Sequence, residues 1–308
     1  MLWGAGRKRT ERIDAAALQW HRVCRFVVYQ GHPVLIADLL YRPRHSLVQQ
    51  SMHSELLSQP FNADGFGVGF YTAGEPTPCV VRSTAPAWSN RSLESLSRRL
   101  SSERIFGHVR AASPGLPVQI TNCHPFWHGH FLFMHNGGIE HFSRIKRRLQ
   151  NALSDAAWES IEGSTDSEHA FALLLDAVGG AEAAPTTAAL RAAVVTTLQR
   201  LAQLAREAGV ADAMACNFAV TDGRSTVVSR YARNVGKPPA SLFWSAGERY
   251  VCEGEDGDML PAGGGGYRAV MVASEPLTRR PEEWTEVPEN HTVAVGPDCS
   301  VAVEPIAL

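Results

Sequence analysis

The sequence predicts an α+β fold built on two β-sheets, and three observations lead there. Runs rich in β-branched and aromatic residues fall into two batches along the chain, helical patterns lie mainly between them, and no internal repeat divides the 308 residues. Strands are expected at Cys24–Tyr29, Phe66–Tyr71, Ile105–Arg110 and Phe131–His135, and again at Cys216–Thr221, Thr226–Tyr231, Leu242–Ser245, Ala269–Ala273 and Thr292–Val295. Helical periodicity covers roughly 35–52, 91–102, 140–153, 166–178 and 187–208. The fourth helix opens on Thr165-Asp166-Ser167-Glu168, the spacing of a capping box. Gly263–Gly266 reads as a hairpin loop, because no Lys or Ser/Thr follows to cradle a phosphate and the next run is a strand. Residues 180–187 resemble a linker, yet the strands beyond it would carry unpaired edges unless they joined the earlier ones, so a single domain is expected over 24–308.

Composition narrows the function. Hydrophobic residues at 44% and charged residues at 19% describe a globular protein with ample core. Lys+Arg at 29 against Asp+Glu at 31, with basic runs no longer than Arg7–Arg9 and Lys146–Arg148, argues against a nucleic-acid partner. The six cysteines are scattered without a CxxC pair, which speaks against zinc and against a disulfide framework and suits a reducing, cytoplasmic setting. The longest apolar run, Ala170 to Val178, contains Asp176 and is too short for a bilayer, so no membrane partner is expected. Residues 1–23 lack the apolar centre of a signal peptide, and their arginines are mixed with Glu11 and Asp14.

Several stretches could carry chemistry, although each alone has a plain structural explanation. Cys24 opens an apolar strand. In "NADGFGVGFY", Gly65, Gly67 and Gly69 recur at period two, leaving one strand face as bare backbone, either for close packing or for a small substrate. Arg110 ends "GHVR", where a guanidinium needs an anion, from a salt bridge or from a substrate carboxylate held bidentately. "HNGG" sets Asn136, Gly137 and Gly138 at a strand end, as a simple Asn-Gly turn or as an amide and an N–H converging on an oxyanion. Asp166 sits in a helical first turn, where the N-terminal amides favour a carboxylate. Cys123 and His124 are adjacent, and from a strand both cannot point into one metal site.

In combination and in order, Cys24-Arg25-Phe26, Asn62 to Gly69, His108-Val109-Arg110, Asn122 to Phe126, His135 to Gly138 and Thr165 to Glu168 resemble the class II glutamine amidotransferases, the N-terminal-nucleophile (Ntn) family. Within it the resemblance is nearest to the amidotransferase-like subunit of the fungal-type glutathione-degradation complex, through "RPRHSLVQQS", "DGFGVGFY" and "GSTDSE". The resemblance implies a four-layer αββα sandwich and a cysteine nucleophile at the mature N-terminus, here Cys24. Its free α-amino group, with a pKa near ~8, would take the thiol proton. Asn136 and the Gly137 N–H would hold the oxyanion, and Arg110, Asp166, Gly138 and His108 would bind the substrate. No cofactor and no metal are implied. The departure is the leader: Cys24 is internal, so residues 1–23 are expected to reflect a start misplaced relative to Val23, a removed propeptide, or a non-catalytic relative. Ala63, where related chains often carry Gly, requires a negative φ. Nothing after Asp176 reads as a P-loop, a Rossmann turn or a sugar-phosphate motif that could accept ammonia. The expected function is therefore hydrolysis of a γ-glutamyl amide in glutathione catabolism, beside a metallopeptidase-like partner subunit. The alternatives are an ergothioneine-pathway γ-glutamyl hydrolase, a glutaminase feeding a separate synthase, or a non-catalytic glutamate-binding subunit.

Overall fold

The computed structural model describes residues 24–53, 62–112, 117–236 and 239–307, so the expected leader lies outside the described residues. The chain runs β1 (Arg25–Leu35), α1 (Ala37–Leu40), α2 (Leu47–Met52), β2 (Phe66–Phe70), β3 (Cys79–Ser83), α3 (Arg91–Ser97), β4 (Ser101–Val109), β5 (Phe126–His128) and β6 (Phe131–Ile139). Four helices follow: α4 (Phe142–Ala152), α5 (Asp155–Glu159), α6 (Asp166–Val178) and α7 (Thr187–Glu207). The second batch of strands is β7 (Met214–Thr221), β8 (Thr226–Arg230), β9 (Ala232–Arg233), β10 (Phe243–Gly247), β11 (Arg249–Glu253), β12 (Asp256–Leu260), β13 (Ala269–Ala273), β14 (Thr285–Glu286), β15 (His291–Val295) and β16 (Val301–Pro305).

Two sheets take strands from both batches. The first has the order β14-β10-β13-β1-β4-β2-β3, and the second β16-β15-β8-β7-β6-β5 with β9 beside β7. Period-two alternation sorts their side chains into three cores. Phe26, Val28, Phe106, Leu132, Met134, Ala219 and Val272 meet between the sheets. Val27, Tyr29 and Val68 face Leu39, Leu47 and Leu93 of α1 to α3. Phe131, Phe133 and Phe218 face Phe171, Leu174, Leu198 and Leu201 of α6 and α7. The outcome is helices, sheet, sheet, helices: the expected α+β, αββα sandwich.

Several local expectations change. The helix expected over 35–52 is two short helices, broken at Pro43, with Ser46 restarting the second by accepting a hydrogen bond from Gln49 N (3.5 Å). The helix expected over 91–102 ends at Ser97, because Ser101 and Ser102 pair with Leu35 and Val34 of β1. The Gly263–Gly266 stretch is a loop but not a hairpin: it joins β12, paired only with β11, to β13 in the first sheet. The capping box is half made. Thr165 Oγ1 accepts from Glu168 N (3.2 Å), whereas the Glu168 carboxylate takes the N–H groups of Glu162 (2.9 Å) and Gly163 (2.7 Å). Ala63 is not among the non-glycine residues with positive φ.

The glycine stripe has a packing explanation. A Cβ on Gly67 would collide with the His124 carbonyl, and one on Gly69 would lie 2.8 Å from Leu132 Cδ2. That face of β2 is therefore occupied by the chain itself, and the alternative of an open bed for a substrate does not hold. What the missing side chains permit is close approach of the His124–Pro125 segment and of β6.

Candidate functional site

The site forms where β1 and β4 end together. Register pairs Arg25 with Val109, which sets Cys24 opposite Arg110, one residue beyond. Both side chains have the parity of Phe26 and Phe106 and so point between the sheets. The half-buried Cys24 thiol meets Ala111, whose N–H donates to Sγ at 3.4 Å. Burial pushes the thiol up, opposed by that N–H and by the guanidinium charges of Arg110 and Arg25, and reinforced by the carboxylate of Asp166. The thiol is thus protonated at neutral pH and needs a base to become a nucleophile.

Arg110 is only 3% exposed. Its backbone extends the ladder, with Arg110 N bonding to Gly65 O at 2.8 Å, and its NH1 reaches Asp64 O at 3.4 Å. It has no acidic partner among the described residues. A guanidinium buried at this depth without a carboxylate is suited to receive one from a ligand.

The second sheet supplies an edge. β5 is three residues long, and its last pairing toward the site is Phe126 with Phe133, so β6 runs on past the end of its neighbour. Cys216 N bonds to Tyr231 O and Phe218 N to Ser229 Oγ, so these β7 groups face away from β6. Alternation then leaves the polar groups of His135, Gly137 and Ile139 facing the vacated β5 side. Along that edge the His135 carbonyl accepts from His108 Nε2 (3.3 Å) and Ile139 N donates to Asp166 Oδ2 (2.9 Å). Between them lies the N–H of Gly137, an exposed residue. Gly137 has φ +145°, and a Cβ there would collide with the Ala215 carbonyl, so only glycine fits. Asn136 and Gly137 therefore lie inside a paired strand, opposite Asn217 and Cys216, and not in a turn. Asn136 is 1% exposed, points between the sheets, and neither atom of its amide has a partner.

Asp166 begins α6, where Oδ1 accepts from Ser167 N (2.8 Å). Its neighbour Ser167 holds the opposite face of β6. His135 Nε2 faces the Ala215 carbonyl (3.1 Å) and so carries the proton, which leaves Nδ1 to accept from Ser167 Oγ (2.9 Å). Gly138 is half-buried in β6 opposite Ala215. His108 is buried, stacked on His124 at 4.2 Å between ring centroids. It reaches the site through the His135 carbonyl and not by opening into a cavity. Among the described residues, no three His, Cys, Asp or Glu side chains group to hold a metal ion.

One supporting cluster was not legible in the sequence. Arg25, next to the thiol, is clamped by Glu275 (Nε to Oε1, 2.6 Å) and donates NH1 to Asn62 Oδ1. Asp64 Oδ2 accepts from Ala112 N (2.9 Å). Asn62 and Asp64 lie in a stretch already conspicuous for its glycines, but Glu275 is 250 positions from Arg25 and only the fold brings it there. A cavity of about 360 Å³ lined by Arg44, His53, Gln50 and Glu275 adjoins this cluster. A second, of about 540 Å³, lies at the far end of β1 among Pro33, Tyr71, Arg104 and Arg224. Neither is lined by Cys24.

Comparison with known proteins gives a consistent set of relatives. The family described as "Glutamine amidotransferases class-II" matches residues 52–237. "Probable glutamine amidotransferase DUG3" of Saccharomyces cerevisiae is 38% identical over 292 residues, covering 89% of this chain and 82% of that one. The "Gamma-glutamyl-hercynylcysteine sulfoxide hydrolase" of Mycobacterium tuberculosis is 34% identical over 119 residues, covering 38% of this chain and 50% of that one. Among solved structures, a glutamine aminotransferase class-II domain protein from Silicibacter pomeroyi superposes with a TM-score of 0.63 at 25% identity, covering 92% of this chain and all of the other. The glutamine phosphoribosylpyrophosphate amidotransferase of B. subtilis, at 17% identity and a TM-score of 0.56, shares the fold over 92% of this chain and 50% of its own length.

Proposed function

Because the chain belongs to the class II glutamine amidotransferases, we propose that it hydrolyses a γ-glutamyl amide, glutathione or a related γ-glutamyl compound, through a thioester on Cys24. The observation that carries this reading is the pairing across β1 and β4 of a thiol with a buried guanidinium that has no acidic partner among the described residues. In the reading, residues 24–308 are the working domain and residues 1–23 are absent from or removed in the mature protein, so that Cys24 carries a free α-amine.

Burial raises the thiol, so attack requires proton removal, and an α-amine of pKa near ~8 is matched to the task. The amine takes the Sγ proton as sulfur bonds to the γ-carbonyl carbon. Asn136 and the Gly137 N–H receive the negative charge that develops on oxygen. Collapse expels the leaving amine, which takes the proton back from the ammonium group. Water, deprotonated by the same amine, then cleaves the thioester and releases glutamate. Arg110 holds the substrate α-carboxylate and Asp166 its α-ammonium, with Gly138 beside them. The proposed setting is cytoplasmic glutathione catabolism with a metallopeptidase-like partner subunit. No helix among the described residues is long and apolar enough to cross a membrane.

A second reading, hydrolysis of a γ-glutamyl sulfoxide, is favoured by the kinship with the mycobacterial sulfoxide hydrolases. The test compares glutathione, a γ-glutamyl sulfoxide and glutamine as substrates, alongside mass spectrometry of the native chain. Glutathione is expected to be the best substrate, and Cys24 the first residue. Normal turnover by a chain retaining residues 1–23, or by Cys24→Ser, would rule out the mechanism and favour a non-catalytic or different role.

A further inference from the structure

The vacated edge of β6 raises a mechanical question. An oxyanion hole made from a backbone N–H requires the strand to be held still, but past Phe133 that edge has lost its neighbouring strand. The carbonyl of His135 is the first acceptor along that edge past the last pair with β5, and it belongs to the peptide that leads into Asn136. His108 takes the place of the missing strand there. Its Nε2 lies 3.3 Å from the His135 carbonyl oxygen, and a carbonyl can only accept, so the proton sits on Nε2. The bond crosses from the first sheet to the second, since His108 lies in β4 and His135 in β6.

We propose that His108 is a positioning residue for the oxyanion hole, clamping the His135–Asn136 peptide so that the Asn136 amide and the Gly137 N–H keep their aim on the reacting oxygen. This rests on the γ-glutamyl hydrolase reading above. The ring is fixed to match. It stacks on His124, which in turn packs edge-on against Phe126 at 4.6 Å. Its 1% exposure leaves no water to compete for the bond. Nδ1 has no partner and is free to be the unprotonated nitrogen. Burial, with the nearby charge of Arg110, lowers the His108 pKa to about 3, so the tautomer that donates from Nε2 persists through the working pH range. Ile139 N bound to Asp166 fixes the same edge two residues beyond Gly137, and the Gly137 N–H is thus held from both sides.

The test is a pair of substitutions in the active protein. His108→Phe keeps a ring but removes the donor, and His108→Gln offers an amide N–H near the position of Nε2. Since loss of an oxyanion donor itself typically costs about 10²–10³ in kcat, loss of its aim is expected to cost about 10–100-fold in kcat for His108→Phe. Inhibition by L-glutamate, which binds without an oxyanion, is expected to stay within about threefold, and His108→Gln to recover kcat to within about fivefold of the native protein. A His108→Phe protein with kcat reduced less than about threefold, equal losses in kcat and glutamate affinity, or a His108→Gln protein outside that window overturns the inference. Nitrogen-15 NMR of the native protein gives an answer that needs no variant: an Nε2–H tautomer at His108 supports the bond, and Nδ1–H excludes it. A native protein that hydrolyses no γ-glutamyl amide overturns instead the reading on which this rests.

Discussion

Arg110 and Asp166 make the proposed recognition of glutamate testable one side chain at a time. Charge-assisted hydrogen bonds contribute about 1.5–3 kcal/mol, so Arg110→Met is expected to raise KM about 10–100-fold. Steady-state kinetics on glutathione would check this, and an unchanged KM would remove Arg110 from the carboxylate site. Asp166 does two things at once, because Oδ2 also fixes Ile139 N. Asp166→Asn keeps one acceptor, for the Ile139 N–H, while losing the negative charge and the oxygen that accepts from Ser167 N. It is expected to raise KM about tenfold while the loss of one hydrogen bond lowers the melting temperature by only about 2–4 °C, which separates substrate binding from support of the strand. In the sequence Arg110 stands out as a guanidinium ending an apolar strand, whereas Asn136, Gly137 and Asp166 each have a plain structural explanation and gain weight only in combination. Asn-Gly was ambiguous because its local chemistry is that of a turn, and only pairing with β7 keeps it extended.

At the scale of elements, packing settled what periodicity left open. The glycines of β2 carried no sign of whether a ligand or the protein would fill their face, since that depends on His124 and Leu132, which lie more than fifty positions away. Gly67→Ala is accordingly expected to destabilise the fold by about 1–3 kcal/mol, as other overpacked sites do, with a lower denaturant midpoint and unchanged m-value. β3, β5, β11, β12, β14 and β16 are short or edge strands whose pairing does not depend on a strong alternating pattern, and they passed unnoticed in the sequence. The long amphipathic helices were legible almost to the residue: α6 occupies the expected 166–178 and α7 stops one residue short of 208. Leu198, buried on α7 against the second sheet, gives a check on that layer. Leu198→Ala should cost about 2–5 kcal/mol in chemical denaturation and leave KM unchanged.

For the molecule as a whole, three buried histidines, His108 of the first sheet, His135 of the second and His124 stacked on His108, couple stability to pH. Burial lowers the pKa of His108, to about 3, of His124, well below its ordinary value, and of His135, where Asp166 and the Ala215 carbonyl oppose the shift. Unfolded, each would titrate near ~6.5. The unfolded chain therefore binds more protons as pH falls below that value, and the folded state loses up to about 1.4 kcal/mol per pH unit for each such histidine until its own pKa is reached. The contribution is fully present above about pH 6.5 and is lost on going down toward pH 3. Melting temperatures measured from pH 7.5 to 4.5 should fall across this range, with a shallower slope for His124→Phe; a flat profile would mean that these rings are not neutral in the folded protein. The two-sheet architecture itself was legible because hydrophobic patterning is written locally. The interleaving of early and late strands, with β13 beside β1 and β10 beyond β13, is a long-range choice that no window of sequence contains.

The shortness of β5 has a final consequence. Where a strand simply stops, the amide protons of its neighbour are left unquenched by accident of length, and one of them is here the proposed anchor for negative charge. Such a group has no side chain to delete. Systematic replacement of residues by alanine would pass over the Gly137 proton, and would report only the distortion caused by an added methyl. In this architecture a function can reside in where a ribbon ends, invisible to any survey that changes what hangs from it.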